Sequence, residues 1–147
     1  MRKIIYSRPD GGVSVVSVPV DTDAALATAM ARLPVSAVNA QIMSDAVIPT
    51  DRTFRNAWRQ AVGLINHDLP SARVIAQEKV REARIPRFAH WDALWTKAQE
   101  DNDIVAMATI RANRQKLRDA PADARIANAA NEIAPKTAMQ AVMVGLP

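Results

Sequence analysis

Residues 3–7 and 13–18 are runs rich in β-branched residues, Ile4-Ile5 and Val13, Val15, Val16 and Val18, separated by Arg8-Pro9-Asp10-Gly11-Gly12. Proline pre-sets φ at the first corner of a turn, aspartate suits the second, and glycine accepts φ > 0. The pattern predicts a β-hairpin with a short loop. A lone hairpin is marginal in water, so it needs a cover. Asp21 or Thr22 can cap a short helix whose Leu26, Met30 and Leu33 share a face, stopped by Pro34. Val38, Ala40 and Ile42 then alternate, as in a third strand. A small lobe in the order ββαβ is predicted to end near Pro49.

From Thr50 the pattern changes. Phe54 and Trp58 are four apart, and with Thr50 or Asp51 as cap they fit one face of a short helix. Residues 63–70 are turn-like. Helical spacing then dominates. Ser71 opens a helix running to about residue 84, where Pro86 should break or kink it. Phe88, Trp91, Trp95 and Ala98 form an apolar stripe. The polar Glu100-Asp101-Asn102-Asp103 links it to a last long helix, 104–118, ended by Pro121. These two helices are predicted to pair as an antiparallel hairpin. Two short helices, 123–131 and 135–144, should follow, and Gly145-Leu146-Pro147 should fray unless something docks it. The expected fold class is α+β: a ββαβ lobe (1–50), an aromatic short helix and linker (51–70), and a helical region (71–147).

Composition sharpens this. Of 147 residues, 49 % are apolar, but much of that is alanine and only 4 % are aromatic, so the core is thin per residue. Thin alanine-rich helices often gain stability by packing on a partner. No cysteine is present, which removes disulfides and thiolate metal sites. The net charge of +4 lies wholly in residues 51–147. So small an excess, interleaved with acids, argues against nucleic acid as the main partner. No apolar run approaches the roughly 20 residues of a membrane span. The start, Met1-Arg2-Lys3-Ile4-Ile5-Tyr6, is basic then apolar, but its apolar run is too short for a signal peptide.

Candidate chemistry is sparse. His67 and His90 lack metal-ligand spacing. Ser14, Ser17 and Ser36 lack a nucleophile elbow. Asp10-Gly11-Gly12 lacks the lysine and helix of a phosphate loop. Asp101 and Asp103 resemble part of a calcium loop, but no glycine or terminal glutamate follows, and a helix cap explains them better. No catalytic residue, metal ligand or cofactor site is expected. Arg111, Arg114 and Arg118 share a helical face, which suits solvent or the acids of a partner. Four of the six aromatic residues are Phe54, Trp58, Trp91 and Trp95. They are either core or a docking patch, since Trp and Arg are common interface anchors. The candidate partner-binding set is Phe54, Arg55, Trp58, Phe88, Trp91, Trp95, Arg114 and Arg118.

Met1-Arg2-Lys3-Ile4-Ile5-Tyr6, Pro9-Asp10-Gly11-Gly12-Val13-Ser14-Val15-Val16 and the stretch from Ile48 to Trp58 resemble a group of small phage and prophage proteins of Gram-negative bacteria. Arg114-Gln115-Lys116-Leu117-Arg118-Asp119-Ala120-Pro121 is similar to the terminal motif of phage tail fibre assembly chaperones and related tail proteins. Together these segments cover about half the chain. Ala37–Ala40 departs from the group, which carries an aromatic strand there. The resemblance implies no enzyme activity and a place in a phage particle assembled in the host cytoplasm. The expected function is a virion-associated, tail-related structural or adaptor protein. The alternatives are a tail fibre assembly chaperone and, more weakly, a nucleic-acid-binding regulator. Partners would be other phage structural or tail fibre proteins, with self-association as a further option.

Overall fold

A computed structural model describes residues 1–131 and 133–147. The fold is α+β, and it divides into two compact units, Met1–Ser71 and Ala72–Pro147.

In the first unit, β1 (Arg2–Ser7) pairs antiparallel with β2 (Val13–Ser17), and the sheet order is β2-β1-β3 with β3 at Val38–Ser44. The connecting turn forms as its residues dictate. Gly11 N–H donates to Arg8 O at 2.9 Å, Arg8 N–H donates to Gly12 O at 2.7 Å, and Gly11 takes φ of 78°. Helix α1 (Asp23–Ala31) is capped by Thr22, whose hydroxyl accepts from Ala25 N–H.

Strand β1 is central and buried on both faces, so neighbouring Ile4 and Ile5 are both fully buried. Ile4 belongs to a cluster with Val18 and Leu26, which α1 supplies. Ile5 belongs to a second cluster with Val13, Met43, Ile48, Trp58 and Ile65.

That second cluster corrects the expectation for residues 51–70. They form neither an aromatic helix nor a linker. A 3₁₀ turn at Arg55–Ala57 leads into β4 (Trp58–Ala61), which pairs antiparallel with β5 (Leu64–His67) across a two-residue loop. Gly63 supplies the φ of 72° which that loop needs. Period-two alternation turns Trp58, Gln60 and Ile65 in register, so Trp58 covers the sheet face opposite α1.

In the second unit, α2 (Leu69–Glu100) is one helix of 32 residues that begins at the end of the first unit and passes through Pro86 without a break. Of the break or kink expected at Pro86, the break does not occur. A proline removes one hydrogen bond and clashes with the preceding turn, at about 3 kcal/mol. Long flanking helical segments outweigh that, and Pro86 is exposed.

A tight turn joins α2 to α3 (Ile104–Asp119). Asn102 takes the left-handed conformation, φ 53°. Its N–H donates to Gln99 O, and the next N–H, of Asp103, donates to Ala98 O at 2.9 Å. This pair of bonds satisfies the last carbonyls of α2. The Asp103 carboxylate then caps α3 by accepting from Ala106 N–H at 2.9 Å.

The helices run antiparallel. Arg84 reaches Leu117 O and Arg118 O, Asp92 pairs with Arg114, and Trp95 lies beneath Arg111. The paired numbers rise on one helix as they fall on the other.

After a 3₁₀ turn at Ala120–Ala122 come α4 (Ala124–Ala127), shorter than expected, and α5 (Ala134–Val144). Leu146 is buried, and the final residues, expected to fray unless docked, are docked by α2 itself. Trp91 Nε1–H donates to Pro147 O at 3.2 Å, and Arg87 donates to Leu146 O.

Candidate functional site

The candidate residues separate into two groups. Phe54 and Trp58 are 4 % and 0 % exposed, respectively. Both are spent in the core of the first unit and have no surface left for a partner. Trp58 also uses its indole N–H internally, donating to His67 Nε2 at 3.0 Å. Arg55, on the 3₁₀ turn beside them, is exposed.

The other five are gathered on the α2–α3 hairpin. Phe88, Trp91 and Trp95 follow helical spacing along α2 and are all half-buried. Arg111 stands over the Trp95 ring at 5.0 Å from its centroid, with Arg114 at 6.0 Å. Arg114 also pairs with Asp92 at 3.0 Å. One turn of α2 further back, Arg84 lies over Phe88 at 5.7 Å. Arg118 is exposed and donates to Gln115 Oε1, while Gln115 donates to Asp119. Trp91 faces the docked tail, with His90 edge-on to it at 5.3 Å.

This row holds its guanidinium groups by stacking and by bonds to carbonyls. Stacked guanidinium loses less conformational freedom on meeting a carboxylate than a free side chain does. Chemically, the surface can receive acidic and apolar protein groups.

Sequence reasoning missed Arg84 and Asp92. Arg84 lies four residues before Phe88, a spacing that could have suggested the stack. The pairing of Asp92 with Arg114 spans two helices and has no local signal.

Outside this row, five carboxyls are held ionised by local partners. Asp68 is held below the usual carboxylate range, chiefly by the Ser71 hydroxyl, and it also accepts Ser71 N–H at the start of α2. Asp10 is lowered by Gly12 N–H, Asp21 by Arg2 N–H and guanidinium, Asp45 by Lys3, and Asp123 by Arg125. All five shifts favour the ionised form, opposite to what a general acid needs. Among the described residues no group of three His, Cys, Asp or Glu could hold a metal ion, and no helix is long and apolar enough to cross a membrane.

No family model matches the chain, and no curated protein or solved structure matches it.

Proposed function

We propose that this chain is a non-catalytic, virion-associated adaptor of a bacteriophage, related to the tail, that binds other phage proteins. One observation carries the adaptor part: the stack of Arg111 and Arg114 on Trp95, presented by the two-helix hairpin. Tryptophan and arginine dominate the energetic centres of protein interfaces. The phage setting rests on the likeness of the N-terminal and Leu117-Arg118-Asp119 segments to phage proteins. In that segment Leu117 is fully buried, while Arg118 and Asp119 face solvent.

A nucleic-acid role is less well supported. A phosphate backbone laid along α3 would meet Asp92, which stays more than half exposed beside Arg114. Asp119 would stand at the end of the same track.

Mass spectrometry of purified intact particles tests the reading. The expected result is this chain at fixed stoichiometry with the other structural proteins. Its presence only in lysate, bound to fibre protein, would make it an assembly chaperone instead. Binding to DNA that weakens steeply with salt, with no protein partner, would overturn both.

A further inference from the structure

Strand β2 is an edge of the three-stranded sheet, whose order is β2-β1-β3. The bond from Arg8 N–H to Gly12 O sets the phase of its ladder. Ser14 and Val16, opposite Tyr6 and Ile4, therefore spend their backbone groups on β1, and Val13, Val15 and Ser17 aim theirs outward. Val13 is covered, at 1 % exposed, but Val15 is half-buried and Ser17 is exposed. Among the described residues no hydrogen bond reaches the outward groups of Val15 and Ser17. Edge strands are ordinarily blunted by charge, proline or a bulge. None of these interrupts β2, Val-Ser-Val-Val-Ser. The opposite edge, β3, is blunted. Its register shifts, Asn39 takes φ of 54°, and the Asn39 carbonyl accepts from Gln60 Nε2 at 2.6 Å.

A groove runs along the β2 edge. Val16 and Val18 form one wall, Ala25 and Ala29 of α1 form the other, and Tyr6 and Arg32 also line it. No β3 residue lines it, so it opens on the β2 side. Arg2 pairs with Asp21 and Asp23 at the start of α1, while Tyr6 shares the groove with Arg32 at the helix end. Helix α1 thus runs antiparallel to β2, and Arg32 stands towards the Val13 end. Arg32 is the one charged residue lining the groove. Among the described residues it makes no ion pair, and the Tyr6 hydroxyl makes no hydrogen bond.

We propose that this groove takes the C-terminal segment of a partner protein as an added strand, antiparallel to β2, with its terminal carboxylate at Arg32. The outward groups of Val15 and Ser17 call for an extended backbone rather than a helix. The alanine wall leaves room for small apolar side chains at alternate positions, those opposite Val18, Val16 and Ser14. The added strand cannot continue past the covered Val13, and Pro19 has no N–H to extend it the other way. The segment is therefore short, and it ends beside an unpaired cation. The reverse polarity would set an amino end against Arg32. This site lies wholly within the first unit, goes beyond the hairpin reading and stands without it.

The probe is the peptide acetyl-Lys-Val-Thr-Val-Thr-Val with a free carboxylate, its last valine set opposite Ser14. It is added to the full, isotope-labelled chain up to about 1 mM, a range suited to a short segment, and followed by amide NMR. The expected result is saturable binding that shifts the amides of Val15, Ser17 and α1. Two altered probes should bind about tenfold more weakly: the C-terminal amide, and a form N-methylated at the threonine opposite Val15. Arg32 is exposed, so Arg32→Glu should fold, as circular dichroism checks. In that variant the free carboxylate should lose its advantage over the amide, while N-methylation should still weaken binding.

No shift at these amides would overturn the proposal. Equal binding of the acid and amide probes to the wild-type chain would overturn it in favour of an internal segment. Indifference to N-methylation would leave a groove for side chains alone, without strand addition. Shifts at Val15 and Ser17 that grow with chain concentration, with no probe present, would assign the edge to a second copy. Particle composition bears on the adaptor reading alone, so the two can fail separately.

Discussion

Trp58 donates its indole N–H to Nε2 of His67, the residue directly across the β4–β5 ladder, at 3.0 Å. The rings also meet edge to face, with centroids 6.4 Å apart. The bond satisfies the one polar atom of a fully buried tryptophan, which lets its large ring close the sheet face around Ile5. Trp58→Ala should therefore cost about 3–5 kcal/mol, through lost burial and a cavity. Trp58→Phe should cost less, since it keeps most of the ring volume but removes the bond. Denaturant unfolding followed on the first unit's sheet amides checks both. An alanine variant as stable as wild type would show that the tryptophan is peripheral.

Asp68 caps α2 and sits 3.7 Å from the Arg59 guanidinium. Its folded-state pKa is lowered, so its ionised form contributes stability at neutral pH. That contribution is complete above the unfolded value, about 3.9, and is lost as pH falls through the lower folded value. Asn is nearly as good a cap but does not titrate. Asp68→Asn should be close to wild type at pH 7, with a shallower loss of stability below about pH 4. Thermal melts at neutral and acidic pH measure the difference. Equal acid sensitivity would assign it to the other lowered carboxyls, Asp10, Asp21, Asp45 and Asp123.

Pro86 lies exposed in the interior of α2 and removes a backbone donor from the ladder. Pro86→Ala should stabilise the helical unit by about 1–3 kcal/mol. A rise in melting temperature with unchanged helix content is the expected outcome. A fall would mean that the proline sets a bend on which the packing of Arg84 and Phe88 depends.

At the hairpin tip Asn102 holds φ of 53°. Asn102→Gly should be neutral or slightly stabilising, because glycine accepts that conformation freely. Asn102→Val should cost about 1–2 kcal/mol, because a β-branched side chain does not. Comparing the two variants by chemical denaturation isolates backbone conformation, since neither residue adds a polar contact. Equal stability would mean that the turn relaxes out of the left-handed region.

Trp91 anchors the last residues through its bond to Pro147 O. Trp91→Phe should raise amide exchange at Gly145 and Leu146, with a loss of about 1 kcal/mol. Hydrogen-exchange mass spectrometry reads this directly. Unchanged protection would assign the docking to burial of Leu146 alone.

Local chemistry decided much of this fold. The Pro9-Asp10-Gly11 turn, the Thr22 cap, the alternation in Val38–Ser44 and the limits of Ile104–Asp119 each follow from neighbours a few residues apart. Such signals survive in a single sequence because the groups that satisfy one another lie within one or two turns.

Tertiary structure decided the rest. The spacing of Phe54 and Trp58 fits a helix as well as it fits a 3₁₀ turn entering a strand. Only the apolar sheet face at Ile5, more than fifty positions away, selects the second. Pro86 reads locally as a break or a kink, yet the helix continues through it, because the hydrogen bonds and packing of the long flanking segments outweigh one missing bond. The aromatic candidates divided for the same reason. Trp58 was drawn into a core, while Trp95 remained on a surface under Arg111 and Arg114, and that depends on which element lies across from each. Partners distant along the chain leave no periodic trace in it, so burial, and with it the candidate site, was settled only when the elements packed.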